Sequence, residues 1–219
     1  MLRKYELYKC ILRDSRLFPS IKFVFQHLMG YLFCYQNIYV YEMPLNEPIT
    51  AETNPRIENF NLKIVLTRQQ LDELVASGYR LGAVIIGAER KLDKGAMMFC
   101  TFIDKALAAI YWVAITDDAK NSIAKIPYPV DFSSGEAYLG WSETKPQYRR
   151  MRLSRYTYSE VKRFLADMGK TKAKGFIEKR NFPSGKGAAK VSGRVYAEAR
   201  YIKILWWKSL KERPVTSSQ

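Results

Sequence analysis

The sequence predicts a domain of the mixed α/β (α+β) class, in which strands and helices alternate along the chain. Between Asn61 and Trp207 the hydrophobic pattern predicts the order β-α-α-β-β-β-α-β-α-β-β. Two apolar runs, Ala96–Ile103 and Leu107–Thr116, are separated by a loop of hairpin length. Further along, a strand over Gly135–Trp141 leads through a basic turn into a helix that ends at Gly169, a good C-cap residue. A hairpin and a strand–turn–helix unit in one chain therefore indicate a sheet with helices packed on it.

The other elements of this region follow from shorter signals. Leu62–Leu66 has the composition of a strand, and Thr67 is a suitable N-cap for a helix that ends before Gly78. A second helix is predicted over Ala83–Leu92. Three more strands and one short helix are predicted after the central helix: strands at Thr171–Glu178, Val195–Ala199 and Tyr201–Trp207, and a helix that ends at Gly193.

Segments of different composition flank this domain of residues 61–207. Residues 1–60 are predicted to be a basic, amphipathic helical extension followed by a proline-punctuated linker over Met43–Asn59, with a short strand at Ile38–Tyr41. Two interpretations of the amphipathic pattern stay open, a helix packed on the domain and a helix lying on anionic lipid. Lys208–Gln219 is predicted to be a polar tail.

Composition restricts the class of protein. The 219 residues are 47% hydrophobic, which is enough for a real core. The three cysteines have no metal-ligand spacing, so they are interpreted as reduced thiols and no metal is expected. The sequence shows no signal-peptide cleavage site and no apolar run of the roughly 20 residues that span a bilayer. A cytoplasmic protein is therefore expected, with peripheral attachment to the inner membrane surface as the alternative.

The charge is large and unevenly distributed. The formal net charge is +15, and 14 basic residues accompany three acidic ones between Lys145 and Lys190. Such a field attracts an anionic partner, which can be a nucleotide phosphate, an acidic carrier protein or anionic lipid. A solvated basic face without a partner is the simpler alternative. No nucleic-acid recognition motif is visible, so nucleic acid is not the expected partner.

The turn over Thr144–Ser154 combines this charge with a helix start. It carries three arginines and a serine directly before and within the first turn of the predicted central helix: Arg149, Arg150, Arg152 and Ser154. The free N–H groups and the dipole of a helix N-terminus favour a bound anion, and guanidinium groups strengthen that preference. The sequence therefore predicts a pyrophosphate site at this turn.

The same turn resembles the acyl-CoA-binding turn of the GCN5-related N-acetyltransferases (GNATs), whose usual pattern is Pro-x-Tyr-Arg-Gly-x-Gly-x-Gly/Ala. Three residues match the pattern as they stand: Pro146, Tyr148 and Arg149. Arg150 and Arg152 stand where glycines are usual, and Ser154 stands where a small residue is usual. The order of predicted elements also resembles the GNAT layout. The resemblance implies a central mixed, mostly antiparallel sheet flanked by helices.

A second motif supports the resemblance. Asn181 followed by Ser184 is similar to the Asn-x-x-Ala/Ser that begins the last helix of that family, where the asparagine helps to hold the acyl carrier arm. The resemblance thus implies a donor site that binds acetyl-CoA or another acyl-CoA. Its implied contacts are Leu139, Trp141, Thr144, Arg149, Arg150, Met151, Arg152, Leu153, Ser154, Asn181 and Ser184.

The catalytic groups are less well marked. The resemblance implies that backbone N–H groups among Leu139–Ser142 polarise the thioester carbonyl, and that a base lies on the same strand. Glu136 and Tyr138 project to one face of that strand and are the candidate catalytic residues, with Glu143 as a third candidate for the base. The family's tyrosine acid is missing, because Ala188 occupies its position.

The expected function is transfer of an acyl group, with acetyl as the first choice, from a CoA thioester to a primary amine of an acceptor that the sequence does not identify. Two alternatives stay open. One is a membrane-associated long-chain N-acyltransferase that takes its acyl group from the phosphopantetheine arm of an acidic acyl-carrier protein. The other is a non-catalytic binding module with the same fold. Neither the acceptor nor the oligomeric state can be predicted from these patterns.

Overall fold

A computed structural model describes residues 32–49, 51–191 and 193–215 of the chain. The helix predicted in the N-terminal extension lies, up to residue 31, outside these described residues. The chain divides into two units. Of the described residues, the larger unit comprises those within 38–199 together with 212–215, and the smaller comprises 32–37 and 200–211.

Within the described residues, eight strands form one sheet in the order β2-β3-β4-β5-β6-β1-β7-β8. Their bounds are β1 Phe33–Pro44, β2 Phe60–Val65, β3 Met97–Ile103, β4 Ala106–Ala114, β5 Glu136–Thr144, β6 Lys172–Glu178, β7 Arg194–Ile204 and β8 Trp207–Pro214. The β1–β6, β2–β3, β3–β4 and β4–β5 pairs are antiparallel, whereas β5 and β6 pair in parallel. The predicted mixed, mostly antiparallel sheet is confirmed.

Five α-helices accompany the sheet in the described part of the chain. They are α1 Arg68–Ala76, α2 Ala88–Asp93, α3 Asp117–Ile123, α4 Leu153–Asp167 and α5 Phe182–Ala189. Thr67 caps α1 as predicted, in a reciprocal capping box with Gln70. The helix predicted over Ala83–Leu92 is divided into a 3₁₀ turn, Gly82–Ile85, and α2. The division occurs at Gly87, whose φ of 75° is left-handed and cannot continue a helix.

The core explains the position of α4. Strand β3 is buried along its whole length, as expected for a strand covered on both faces. One face of α4 packs on the sheet through Tyr158, Val161 and Leu165. The side chain of Thr157 joins helix to sheet through a hydrogen bond of 2.6 Å with the Thr101 hydroxyl. The start of α4 is therefore fixed relative to the central strands.

The two ends of the described chain differ from the predictions. Strand β1 extends well beyond the short strand predicted at Ile38–Tyr41, so the helix predicted in the N-terminal extension was wrong for residues 33–36. The break predicted between Ala199 and Tyr201 is absent, because β7 runs without interruption from Arg194 to Ile204, and Trp207 belongs to β8. The polar tail predicted from Lys208 was wrong for residues 208–214, which form most of β8. Charged side chains are suited to an edge strand because they oppose pairing with another chain, so polarity there did not indicate a tail. The predicted domain boundaries stay predictions.

The described residues contain neither a helix with the length and apolar character needed to cross a bilayer nor a group of three or more His, Cys, Asp or Glu side chains arranged for a metal ion.

Candidate functional site

Strands β5 and β6 separate at their carboxyl ends. Their parallel pairing covers only four residues of each strand and ends at the Leu139–Gly175 pair. Beyond this pair β5 stays with β4, where Ser142 lies opposite Tyr111, while β6 stays with β1. A Cβ atom at Gly175 would lie 3.2 Å from the Leu139 carbonyl oxygen, so the absence of a side chain permits the close approach at this last pair. A wedge-shaped gap in the sheet therefore opens directly after Leu139.

A bulge in β5 lies at the mouth of this gap. Between the Val113–Leu139 pair and the Tyr111–Ser142 pair, β5 advances three residues while β4 advances two. The extra residue falls at Gly140–Trp141 and is left out of the regular ladder. A Cβ atom at Gly140 would lie only 2.8 Å from Cδ1 of Ile123, so a larger residue would require displacement of α3 or its side chain. The resemblance implied that backbone N–H groups among Leu139–Ser142 polarise the thioester carbonyl, and the bulge lies within this stretch.

The basic turn follows the end of β5. A 3₁₀ turn, Pro146–Tyr148, leads into Arg149, whose Nε donates to the Thr144 carbonyl oxygen at 3.4 Å. Arg150 and Arg152 both have left-handed backbones, with φ of 66° and 62°. These are the two positions where the resemblance leads one to expect glycine. The turn thus has the backbone conformation that favours glycine although it carries arginines.

The N–H groups of this turn are available. In the described chain, the backbone N–H groups of Arg150, Met151 and Arg152 have no protein acceptor. Arg152 is the N-cap of α4 and provides no side-chain acceptor, so the first N–H groups of the helix are also without one. Six consecutive N–H groups at a helix start, beside arginine side chains, form an electropositive surface suited to phosphate oxygens.

The preceding extended segment holds the turn in place. Arg56 N–H donates to the Met151 carbonyl oxygen at 3.0 Å, and the Arg155 guanidinium donates to the Glu52 carbonyl oxygen at 3.1 Å. The Glu52 carboxylate forms an ion pair with Arg152, whose side chain is only 17% exposed. Arg152 is therefore engaged by the protein, while Arg149 and Arg150 are exposed to solvent.

The apolar members of the turn anchor it. Leu153 is fully buried in a small cluster with Ile103, Ala108 and Ala109, and Met151 packs against that cluster. Because the Leu153 side chain is buried, only its backbone atoms can make the contact with acyl-CoA that the resemblance implies. Trp141 is exposed and Leu139 is buried. The assignment of these residues as acyl-CoA contacts stays a prediction.

Tyr111 links the end of β5 to the start of α4 and was missed by the sequence analysis. Its hydroxyl forms a hydrogen bond of 2.8 Å with the Ser154 hydroxyl. Burial raises the pKa of Tyr111, while hydrogen bonds with Ser154 and Ser142 act in the opposite direction. The only signal in the sequence was one tyrosine in an otherwise apolar strand. Ser154 thus positions the turn against the sheet, in addition to its predicted place at the phosphate site.

Asn181 and Ser184 have the predicted relation to the last helix. Asn181 is the N-cap of α5, and its side-chain oxygen accepts the Ser184 N–H at 3.4 Å. This arrangement leaves the Asn181 amide nitrogen without a protein acceptor in the described chain. An amide N–H at that position is suited to donate to a carbonyl oxygen of a carrier arm.

Tyr41, also missed by the sequence analysis, brings a hydroxyl to α5. It lies opposite Gly175, the residue of β6 at which the gap opens, and its hydroxyl oxygen is 3.1 Å from the Cβ position that Gly185 lacks. Ala188 follows one helical turn later and packs against the apolar cluster that contains Tyr41. The Tyr41 hydroxyl has no hydrogen-bond partner in the described chain. Burial, reinforced by neighbouring Tyr39, raises its pKa, so the hydroxyl keeps its proton at neutral pH.

The predicted bases lie on the other face of β5. Ala137 and Leu139 belong to the α4-side cluster, so the alternation of a strand directs Glu136 and Tyr138 away from α4. Glu136 is 4% exposed and pairs with Lys174 at 2.7 Å and Lys172 at 3.6 Å. Burial acts to raise its pKa, but the Lys174 hydrogen bond, the Asp131 N–H and the two lysine charges outweigh it, and the pKa lies below its ordinary value. A carboxylate held in this way accepts a proton poorly at neutral pH.

Tyr138 and Glu143 differ from Glu136 in their surroundings. Tyr138 packs against Phe176 with ring centroids 5.3 Å apart, and burial raises its pKa. Glu143 is partly exposed at the separated end of β5 and pairs with Lys145 at 3.1 Å. Of the two carboxylates considered for the base, only Glu143 lies beyond the point where the gap opens.

Comparison with known proteins identifies the fold. No protein-family model and no curated protein matches the sequence. Among solved structures, the chain is similar to a tandem GNAT protein from the clavulanic acid biosynthesis pathway, with a TM-score of 0.52 and 13% identity over 88% of this chain and 59% of that one. The chain has the GNAT fold. The resemblance found in the turn is thereby confirmed at the level of the fold.

Two further structures have a similar architecture. One is the GCN5-related glucosamine N-acetyltransferase region of a fungal multi-domain β-N-acetylglucosaminidase, with a TM-score of 0.53 and 11% identity over 91% of this chain and 23% of that one. The other is a Drosophila protein, with a TM-score of 0.51 and 11% identity over 87% of this chain and 59% of that one. The chain thus spans less than two thirds of the length of these structures.

The two left-handed arginines of the basic turn can be tested with a matched pair of substitutions. Arg150→Gly should raise the unfolding free energy by about 1 kcal/mol, because glycine relieves the positive φ. Arg149→Gly removes the same charge from an ordinary backbone, with φ of −67°, and should lower stability by about 0.5 kcal/mol through added unfolded-state entropy. Urea denaturation measures both. Equal destabilisation by the two variants would contradict the left-handed assignment.

Proposed function

We propose that the protein is an N-acyltransferase that transfers an acyl group, with acetyl as the first choice, from a CoA thioester to a primary amine. The observation that carries the proposal is the position of the gap after Leu139 and the bulge at Gly140–Trp141 immediately before an anion-binding turn. In this arrangement one extended ligand can have its pyrophosphate at the turn and its thioester at the bulge. The GNAT fold is consistent with this use of the two features.

In the proposed donor site, different groups of the chain bind the pyrophosphate, the carrier arm and the thioester. The N–H groups at the start of α4, with Arg149 and Arg150, bind the pyrophosphate, and Asn181 holds the carrier arm. A neutral amine attacks the thioester carbonyl, whose developing oxyanion accepts hydrogen bonds at the β5 bulge. The carbon–sulfur bond breaks, the sulfur gains a proton, and the amine nitrogen loses one, so the step is balanced.

The proton for the sulfur needs a donor other than the residue at 188. Tyr41 supplies a protonated hydroxyl one helical turn from Ala188 and at the point where the gap opens. We assign this role to Tyr41, which would recover its proton from the amine through water. Glu143 is the better placed of the candidate bases, because Glu136 is engaged by two lysines.

Ligand binding and turnover test the proposal separately. The melting temperature is measured with acetyl-CoA, a long-chain acyl-CoA and free CoA, since a ligand that binds only the native state raises it by mass action. Release of free thiol from acetyl-CoA is then followed with a panel of primary amines. A CoA-dependent shift with amine-dependent thiol release supports the enzyme, and a shift without thiol release from any acyl donor favours the non-catalytic module. No shift with any CoA species at millimolar concentration contradicts the CoA site.

An acidic acyl-carrier protein is the alternative donor. The basic residues between Lys145 and Lys190 favour it, because such a surface suits an acidic carrier. The glycines that are usual at positions 150 and 152 leave room for a pyrophosphate. A phosphopantetheine arm has no pyrophosphate, so arginines at these positions are compatible with it. Faster acyl transfer from a long-chain acyl-carrier protein than from acetyl-CoA would select this donor, and the reverse order would exclude it.

Arg149 provides the most direct test of the turn. Arg149→Ala should raise the KM for acyl-CoA about tenfold with little change in kcat, because a charge-assisted hydrogen bond to phosphate is lost in ground state and transition state alike. Arg163→Ala is the control, since Arg163 is an exposed arginine of α4 that pairs with Glu160. Unchanged KM in a folded Arg149→Ala protein would contradict the phosphate site.

A further inference from the structure

The smaller unit exposes a cluster of large apolar side chains at the β7–β8 turn. This hairpin tip, Ile204–Trp207, has four consecutive exposed apolar residues, and Trp206 is 86% exposed. Leu32 and Phe33 of the same unit are also exposed, and Leu205 N–H donates to the Leu32 carbonyl oxygen. Single exposed apolar residues are common, but a contiguous cluster marks a surface that is covered by a partner.

The turn retains these side chains at a conformational cost. Leu205 has φ of 56°, whereas Trp206 lies outside the left-handed region. One positive φ at the first central residue is the pattern of a two-residue type II′ hairpin, which favours glycine at that position. A bulky residue there is strained. An apolar side chain kept where glycine would fold better points to a role for the side chain itself.

The charges around the tip specify its partner. Lys203 and Lys208 flank it on either side, and residues 200–211 contain four basic residues and no acidic ones. Tryptophan beside lysine is the composition of segments that enter the interface of a bilayer, where the ring lies among headgroups and the ammonium contacts phosphate. Anionic lipid provides both the apolar layer and the negative charge.

Other partners fit less well. A second copy of this surface would place four positive charges against four. Residues 1–31 carry six basic and two acidic residues, so their charge does not complement the tip either. A nucleic acid would use aromatic faces for stacking, but half of the tip, Ile204 and Leu205, is aliphatic.

We infer that the hairpin tip Ile204–Trp207 is a membrane-insertion site that binds the surface of an anionic bilayer, with Lys203 and Lys208 at the headgroup phosphates. This interaction is independent of the proposed enzymatic function. It places the protein on a lipid surface through the hairpin tip.

Vesicle co-sedimentation of the full chain tests the inference, with phosphatidylcholine vesicles and with vesicles that also contain phosphatidylglycerol. The wild type should bind the anionic vesicles and bind neutral ones weakly. The double substitution Leu205→Gly/Trp206→Asn gives a favourable type II′ turn and should keep or raise the melting temperature. It should lower the partition coefficient for anionic vesicles at least about tenfold, because the inserted side chains are lost.

Two further variants separate the contributions. Lys203→Gln should weaken binding to anionic vesicles about fivefold and leave binding to neutral vesicles unchanged. Ile86→Asn, at a residue of the larger unit that is 77% exposed, should leave binding unchanged. The inference is overturned if the wild type ignores anionic vesicles, or if the Leu205→Gly/Trp206→Asn protein binds them as the wild type does. It is also overturned if that variant loses affinity for single-stranded nucleic acid while keeping affinity for vesicles.

Discussion

Glu136→Gln should lower the unfolding free energy by about 3 kcal/mol at neutral pH, because it leaves Lys174 in a largely buried site without its charged partner. The loss should depend on pH. The lowered pKa of Glu136 means that its carboxylate stabilises the fold fully above the ordinary glutamate pKa of about 4.3. That contribution disappears as the pH falls through the lowered pKa. Chemical denaturation of both proteins from pH 7 to pH 3 should show the two stabilities converging in acid.

Glu143→Gln is the matched control on the same strand. Glu143 and Lys145 are both partly exposed, so the loss should be at most about 1 kcal/mol. The pair of variants also distinguishes the two candidate bases. Glu143→Gln should lower kcat in a stable protein, whereas the effect of Glu136→Gln should follow its stability. Full stability of Glu136→Gln with complete loss of acyl transfer would show that Glu136 is the base.

Tyr41→Phe should lower kcat about a hundredfold with little change in the KM for acyl-CoA. The substitution removes one hydroxyl that makes no hydrogen bond in the described chain, so the protein should remain as stable as the wild type. A general acid contributes at least about this factor, because without it the sulfur must leave as the thiolate. The pH–rate profile should also lose its alkaline limb, which a purely structural role would leave in place.

Tyr158→Phe is the control for this role. Tyr158 has a buried hydroxyl without a partner in the described chain, and its ring lies 6.2 Å from that of Tyr111 on α4's side of the sheet. It should change kcat by less than about threefold, because the assigned donor is Tyr41. A large loss in Tyr158→Phe with normal rates in Tyr41→Phe would transfer the role to Tyr158. Normal rates in both would mean that water protonates the sulfur.

Local patterns predicted the parts of the fold that depend on neighbours in sequence. Thr67 and Asn181 cap the helices predicted to follow them, and the hairpin of β3 and β4 follows from its short loop. Arg150 and Arg152 replace the usual glycines, so composition alone did not indicate a tight turn there. The backbone adopts the left-handed conformation there because contacts from Glu52 and Arg56 hold it. Such contacts between distant segments leave no periodic signal.

Long-range pairing accounts for what the sequence did not show. Tyr41 was assigned to a short flanking strand, and only the register of β1 against β6 brings it to Gly175. Glu136 satisfied the expected position of a base, but its lysine partners come from β6, whose side chains could not be aligned with β5 from sequence. Tyr111 meets Ser154 for the same reason, since their contact joins residues 43 positions apart.

The position of β1 between β6 and β7 has a consequence for synthesis of the chain. Val40 pairs with Phe176, so β1 leaves the ribosome well over a hundred residues before either neighbouring strand exists. At roughly 5–20 residues per second this wait lasts on the order of ten seconds, with both edges of an apolar strand unpaired. Strands β2 to β5 can assemble in that time, whereas β1 must be kept from pairing with other chains. Nascent protein should therefore depend on chaperones until β6 has been made.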